Sequence, residues 1–110
     1  MNNPSFNHGL TPAHLTVIRD ILSPWANVIE RVAVFGSRAT GRYKTYSDID
    51  LVIYGHGIEQ KTIDRLWTLF SESSLPYKVD IVAYELINEA PFKAHIDQFN
   101  QTLFSAEDLS

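Results

Sequence analysis

No cysteine occurs among the 110 residues of this chain. That absence removes disulfide stapling, zinc–thiolate sites and thiol nucleophiles together. Nor is there an apolar stretch long enough to span a bilayer, or an apolar N-terminal run behind a basic start. Membrane attachment is therefore not expected, and a cytoplasmic location is. Basic runs are missing as well: 9 Lys and Arg stand against 13 Asp and Glu, a formal charge of −4. Stable nucleic-acid binding through a basic surface is not expected from that balance. Glycine and proline are few, five of each, against 45% hydrophobic residues. This is the composition of a globular chain rather than a disordered one, with enough residues for one packed domain.

Local signals divide the chain. Residues 1–10, polar and holding Asn, Pro and Gly, read as a flexible arm. Residues 11–105 read as a single domain, and 106–110 as a flexible tail. Thr11-Pro12 is a hydroxyl cap followed by proline at the first helical position. Leu15, Ile18 and Leu22 then recur at helical spacing until Ser23-Pro24. Residues 32–35 form a short β-rich apolar run, residues 48–54 a second, and residues 78–83 a third. Between the last two, Ile63, Leu66, Trp67 and Phe70 form one helical stripe. Pro91 opens a final helix with Phe92, Ile96, Phe99 and Leu103 on one face. The order helix, strand, strand, helix, strand, helix predicts an α/β (α+β) domain. It is a small mixed sheet with helices packed on one face.

Strand alternation then separates the acids from the core. In the second strand Ile49, Leu51 and Ile53 share one face, so Asp48 and Asp50 share the other. In the third, Asp80 faces away from Val79, Ile81 and Ala83. With these strands adjacent, three carboxylates meet on one open patch, where they repel unless a cation lies among them. Oxygen-only ligands of this kind suit Mg²⁺ together with substrate phosphates. Asp48 and Asp50 would bracket one or two ions. Asp80 would complete a second site or take a proton from an attacking hydroxyl. Any one of these aspartates taken alone is more often a solvated strand edge; the combination carries the reading.

Gly36-Ser37 closes the first strand where a short helix begins. Glycine admits close approach of a ligand, and amides at a helix start attract phosphate. Ser37 adds a hydroxyl donor, and Arg38 is expected to reach the polyphosphate, with Arg42 or Lys44 less well placed. The histidines at 8, 14, 56 and 95 have no ligand spacing and read as surface or capping residues. Tyr43 and Tyr46 suit either stacking on a base or packing.

Taken together, Gly36-Ser37-Arg38-Ala39-Thr40-Gly41 followed by Ser47-Asp48-Ile49-Asp50-Leu51 resembles the signature of the DNA polymerase β-like nucleotidyltransferase superfamily. The short length and Lys78-Val79-Asp80-Ile81-Val82 as the later acid-bearing strand resemble its minimal nucleotidyltransferases. The likeness covers roughly residues 32–83. It implies that fold and two Mg²⁺ ions with bound NTP, and transfer of a nucleoside monophosphate from ATP or another NTP to an acceptor hydroxyl. Carried onto this chain, Gly36 and Ser37 would hold the triphosphate and Asp48 and Asp50 the metals. Asp80 would serve the catalytic metal and the acceptor. Minimal members often pair with a helical HEPN-family protein, in some pairs as an antitoxin that adenylylates a tyrosine of the HEPN toxin. Little chain remains for an acceptor-binding domain, so a partner or a second copy, as a homodimer, is expected to complete that half. Two alternatives stand beside this one: a binding-only antitoxin or scaffold that occludes its partner, and transfer to a small molecule.

Overall fold

Thr11 and Pro12 begin the first helix as their chemistry requires. In the computed structural model, which describes residues 8–110, α1 runs Pro12–Leu22. The Thr11 hydroxyl accepts from the His14 N–H at 3.1 Å, and His14 Nδ1 accepts from the Thr11 N–H at 3.2 Å. Two of the orphan donors of the helix start are thereby satisfied reciprocally. Pro24 lies in a 3-10 turn, Ser23–Trp25, that turns the chain towards the sheet.

Strand β1 (Ile29–Phe35) pairs antiparallel with β2 (Ile49–Gly55), and β2 pairs parallel with β3 (Val79–Ala83). The one-turn helix α2 (Ser37–Thr40) follows β1, and α3 (Gln60–Ser71) makes the crossover that a parallel pair needs. A fourth strand, β4 (Asn100–Ser105), lies antiparallel on the far edge of β1, giving the order β3-β2-β1-β4. The two central strands are buried on both faces, so Val32 to Phe35 and Leu51 to Ile53 show no alternation.

One face of the sheet carries the larger core. Val32, Val34, Ile49, Leu51, Ile53, Val79 and Ile81 pack there with Ile18 and Leu22 of α1 and Ile63, Leu66 and Phe70 of α3. Each such fully buried aliphatic side chain contributes about 1.5–3 kcal/mol. The opposite face has a smaller cluster of Ala33, Phe35, Val52 and Ile96, with Phe92 packed against it. Its cover is α4 (Ala90–Gln98), which therefore lies on the other side of the sheet from α1 and α3. Among the described residues no helix is long and apolar enough to cross a membrane.

The C-terminal region departs most from expectation. The apolar spacing of Phe92, Ile96, Phe99 and Leu103 reads as one helix, but α4 stops at Gln98. Phe99 takes an extended φ of −127°, and the Asn100 amide donates to the Ile96 carbonyl at 2.8 Å, capping the helix end. Beyond it the chain meets the unpaired edge of β1, and completing that ladder outweighs one more helical turn. Residues 106–110, expected as a tail, hold the short helix α5 (Ala106–Leu109), capped by Ser105 and anchored by Leu109 at 2% exposure.

At the other end, residues 1–7 of the expected arm lie outside the described residues. Leu10, assigned to that same arm, is buried in the main core. Trp67, read as part of the core stripe, remains 39% exposed. Its indole N–H donates to the Ile81 carbonyl on the edge strand β3 at 3.2 Å. Trp67→Phe keeps most of the ring but loses that bond. A thermal melt should show a loss of about 1 kcal/mol, which is roughly 5 °C for a domain of this size.

Candidate active site

The site grows from strand register. Asp50 and Asp80 are direct partners across the parallel β2–β3 pair, so their side chains leave the sheet on the same face. Asp48 precedes β2 by one residue and is exposed, while Asp50 and Asp80 are half-buried. Asp50 feels the charge of both other acids. Burial, then the charge of Asp80, then that of Asp48 push the Asp50 carboxyl up from 3.8 to about 6, against smaller opposing pulls from Arg38 and Lys78. Lys78 also lies 3.8 Å from Asp80 as a half-exposed ion pair.

Across the antiparallel β1–β2 pair Asp50 stands opposite Phe35, next to Gly36. Gly36 has φ +72°, a backbone open to glycine, and a Cβ placed there would come within 2.5 Å of Asp50 Oδ2. Glycine is needed twice at this position, for conformation and for space. The turn and the acidic patch are therefore in direct contact. Ser37 opens α2 beside them, and that helix has only four residues. Its dipole adds little, so local N–H groups of the turn and the Ser37 hydroxyl are the donors available to an anion.

A cleft of about 800 Å³ opens beside this turn, lined by Gly36, Ser37, Thr40, Arg42, His95 and Phe99 among others. It borders the turn rather than the three acids. His95 and Phe99 of the α4 end pack with ring centroids 5.1 Å apart at its wall. Gln101 of β4, 4% exposed, donates to the Ala39 carbonyl at 2.9 Å, while its Oε1 has no partner among the described residues. Sequence reasoning missed this wall because it absorbed residues 99–103 into a helix. The usable signal was Asn100, a helix-ending residue before the β-prone Thr102-Leu103-Phe104.

Arg38 does not line this cleft. It was expected to reach the polyphosphate, yet it is 1% exposed. Its donors go to backbone carbonyls: Nη1 to His8 at 2.9 Å, Nη2 to Ser47 at 2.9 Å and Nε to Asp48 at 3.3 Å. The guanidinium is also stacked near Tyr77 and Tyr43, at 4.5 and 5.0 Å from the ring centroids. A guanidinium so enclosed is committed to the protein. Arg42 is exposed and stands at the cleft instead. Tyr46 is 83% exposed.

The three acids offer only oxygen, and a hard divalent cation would offset both the burial and the neighbouring charges that raise the Asp50 carboxyl. Among the described residues, no three His, Asp or Glu side chains yet close into a ready-made cage. The chemistry of the set fits an ion that shares its shell with substrate phosphates rather than one held by protein alone.

A mixed sheet carrying paired acids across from a Gly-Ser turn defines a nucleotidyltransferase domain, and residues 18–109 match the family "Polymerase beta, Nucleotidyltransferase". The chain belongs to that family. Among individual proteins, a stretch of 59 residues is 42% identical to the probable protein adenylyltransferase MntA of Haemophilus influenzae, covering 53% of this chain and 52% of that protein. The chain thus spans about half the length of the curated relative it matches. Among solved structures, a toxin–antitoxin crystal structure with AMP-PNP superposes with a TM-score of 0.70 at 18% identity, over 86% of this chain and 77% of that one. A mutant of the toxin–antitoxin pair MntA-HpeT, bearing two aspartate-to-glutamate changes, gives 0.68 at 16% identity, over 83% and 73%. A putative nucleotidyltransferase from Sulfolobus solfataricus gives 0.53 at 25% identity, over 84% and 81%. At these identities the two toxin–antitoxin structures speak for the fold.

Proposed function

We propose that this domain is a divalent-metal-dependent adenylyltransferase that moves AMP from ATP to a hydroxyl of a partner protein and acts as the antitoxin of a toxin–antitoxin pair. The observation that carries the reading is the contact between its two halves: Asp50 lies opposite Asp80 and directly against Gly36. The turn grips the triphosphate, and the acids beside it face the reacting end. The Haemophilus relative, named as a protein adenylyltransferase, and the AMP-PNP-bound toxin–antitoxin structure support the donor and the kind of acceptor.

Asp48, Asp50 and Asp80 would hold the metal, which when bound supplies Lewis-acid polarisation of phosphate oxygens. The amides of the Gly36-Ser37 turn and the Ser37 hydroxyl orient the triphosphate, so the acceptor meets the α-phosphorus in line. The acceptor oxygen bonds to that phosphorus, the α–β bridging bond breaks and pyrophosphate leaves. Asp80, beside the site and paired only loosely with Lys78, takes the proton of the hydroxyl. The acceptor is a tyrosine of a helical HEPN-type toxin in this reading, reached in the cytoplasm where ATP is supplied. A homodimer is the alternative way to complete the acceptor side.

A binding-only antitoxin would have no use for carboxylates placed so that Asp50 and Asp80 face each other across adjacent strands. The deciding experiment is incubation with ATP, Mg²⁺ and a candidate toxin encoded beside it, read by intact mass. One or more AMP units should appear on the toxin, and none with Asp48→Asn/Asp50→Asn. Tight complex formation with no gain in mass would replace the enzyme by the binder. Transfer to a small molecule in the absence of any partner would replace the protein acceptor.

A further inference from the structure

Arg38 is the one fully buried charged side chain among the described residues, and nothing in the reaction above uses it. A buried guanidinium normally pairs with a carboxylate. Among the described residues Arg38 has no such ion pair. Its donors run instead to three carbonyls on two segments, His8 ahead of α1 and Ser47 and Asp48 ahead of β2. The same group lies over the rings of Tyr43, in the loop leading to Asp48, and Tyr77, three residues before Asp80. On its own helix Arg38 is the immediate neighbour of Ser37.

We infer that Arg38 is a positioning residue: it fixes the Asp48 segment, and through Tyr77 the approach to β3, at a set distance from the Gly36-Ser37 turn. This rests on the carboxylate site proposed above and adds the part that holds it in register. The physical case is one of geometry. The loop 41–48 has no regular structure between α2 and β2, so without a tie its last residue would wander relative to the turn. One planar, rigid fork spanning the Ser47 and Asp48 carbonyls removes that freedom. Lying over two aromatic rings suits a guanidinium, whose weak hydration makes burial tolerable, better than an ammonium. The positive charge, not cancelled by a carboxylate of its own, also lies beside the acids before any cation arrives.

The test compares Arg38→Lys and Arg38→Met with Leu22→Ala, a core change at the last residue of α1, the end away from His8. Leu22 is fully buried, so its truncation lowers the melting temperature without touching the site. The readout is the Mn²⁺ dissociation constant, measured from free-ion EPR in the presence of AMP-PNP and well below every variant's melting temperature. Removing groups that orient metal ligands costs roughly 10–100-fold in affinity. Both Arg38 variants should therefore weaken Mn²⁺ by about tenfold or more, with the lysine failing to rescue, while Leu22→Ala stays at the wild-type value. Equal affinities across wild type and Arg38 variants would overturn the inference, as would an equal loss in Leu22→Ala. Loss of metal-free AMP-PNP binding with Mn²⁺ affinity intact would also overturn it, returning Arg38 to a direct phosphate contact. A wild-type protein that binds no Mn²⁺ would sink the carboxylate site itself and this inference with it.

Discussion

Gly36→Ala should lose at least about 100-fold in nucleotidyl transfer, the scale of effect that a displacement of an ångström produces at a reacting centre. The added methyl would come within 2.5 Å of Asp50 Oδ2, and the backbone at φ +72° already disfavours any side chain. Either the turn or the Asp50 carboxylate must move, and each belongs to a different half of the site. Backbone strain alone costs about 1–3 kcal/mol. Gly41→Ala is the matched control. Its φ of +78° imposes similar strain, but nothing lies within 4 Å of the new Cβ. That variant should lose stability, seen as a lower melting temperature, and keep its rate. If both variants retain activity, contact between the turn and Asp50 is not what the site depends on.

Asp50→Asn should act in opposite directions on catalysis and stability. Losing a carboxylate from the proposed metal-binding set should remove several kcal/mol of charge stabilisation, a rate loss on the order of a thousandfold or more. The metal-free fold should gain. In the folded protein the Asp50 carboxyl titrates near 6 rather than at 3.8, because burial and then Asp80 and Asp48 disfavour its charge. A folded pKa raised above the unfolded value stabilises the protein fully below the unfolded value. That contribution is lost as pH rises through the folded one. Wild-type stability should thus fall between about pH 4 and pH 6–7 relative to Asp50→Asn. Taken at face value the shift is worth about 3 kcal/mol; solvent screening of a half-buried group reduces this to roughly 1 kcal/mol. At pH 8 without metal, Asp50→Asn should melt about 5 °C higher than wild type, and at pH 4 the difference should vanish. A variant less stable than wild type at pH 8 would show that the acids are not in conflict.

The centre of this domain was legible because period-two alternation leaves little choice. Once Ile49, Leu51 and Ile53 face a core, Asp50 must face away from it, and the β2–β3 register places Asp80 opposite. The edges were not legible. Phe99 and Leu103 fit a helical stripe, and only the open flank of β1, a tertiary fact, turned residues 100–105 into a strand. The cleft wall built from Phe99 and Gln101 was hidden for the same reason. Arg38 illustrates a different limit. Sequence shows that a guanidinium follows Ser37 but not which way it points, and its neighbours Tyr43 and Tyr77 give no periodic clue. Leu10 is similar, a single apolar residue in a polar stretch that tertiary contact makes part of the core.

The parallel pairing of β2 with β3 sets when, as well as where, the carboxylates meet. Antiparallel neighbours can zip from a tight turn, whereas Asp50 and Asp80 are joined through α3 and touch only after that crossover has docked. Their mutual repulsion gives the chain no reward for bringing them together early. A cation bound at the proposed site would join strands whose contact is closed through α3, so adding it should lower the unfolding rate more than it raises the folding rate.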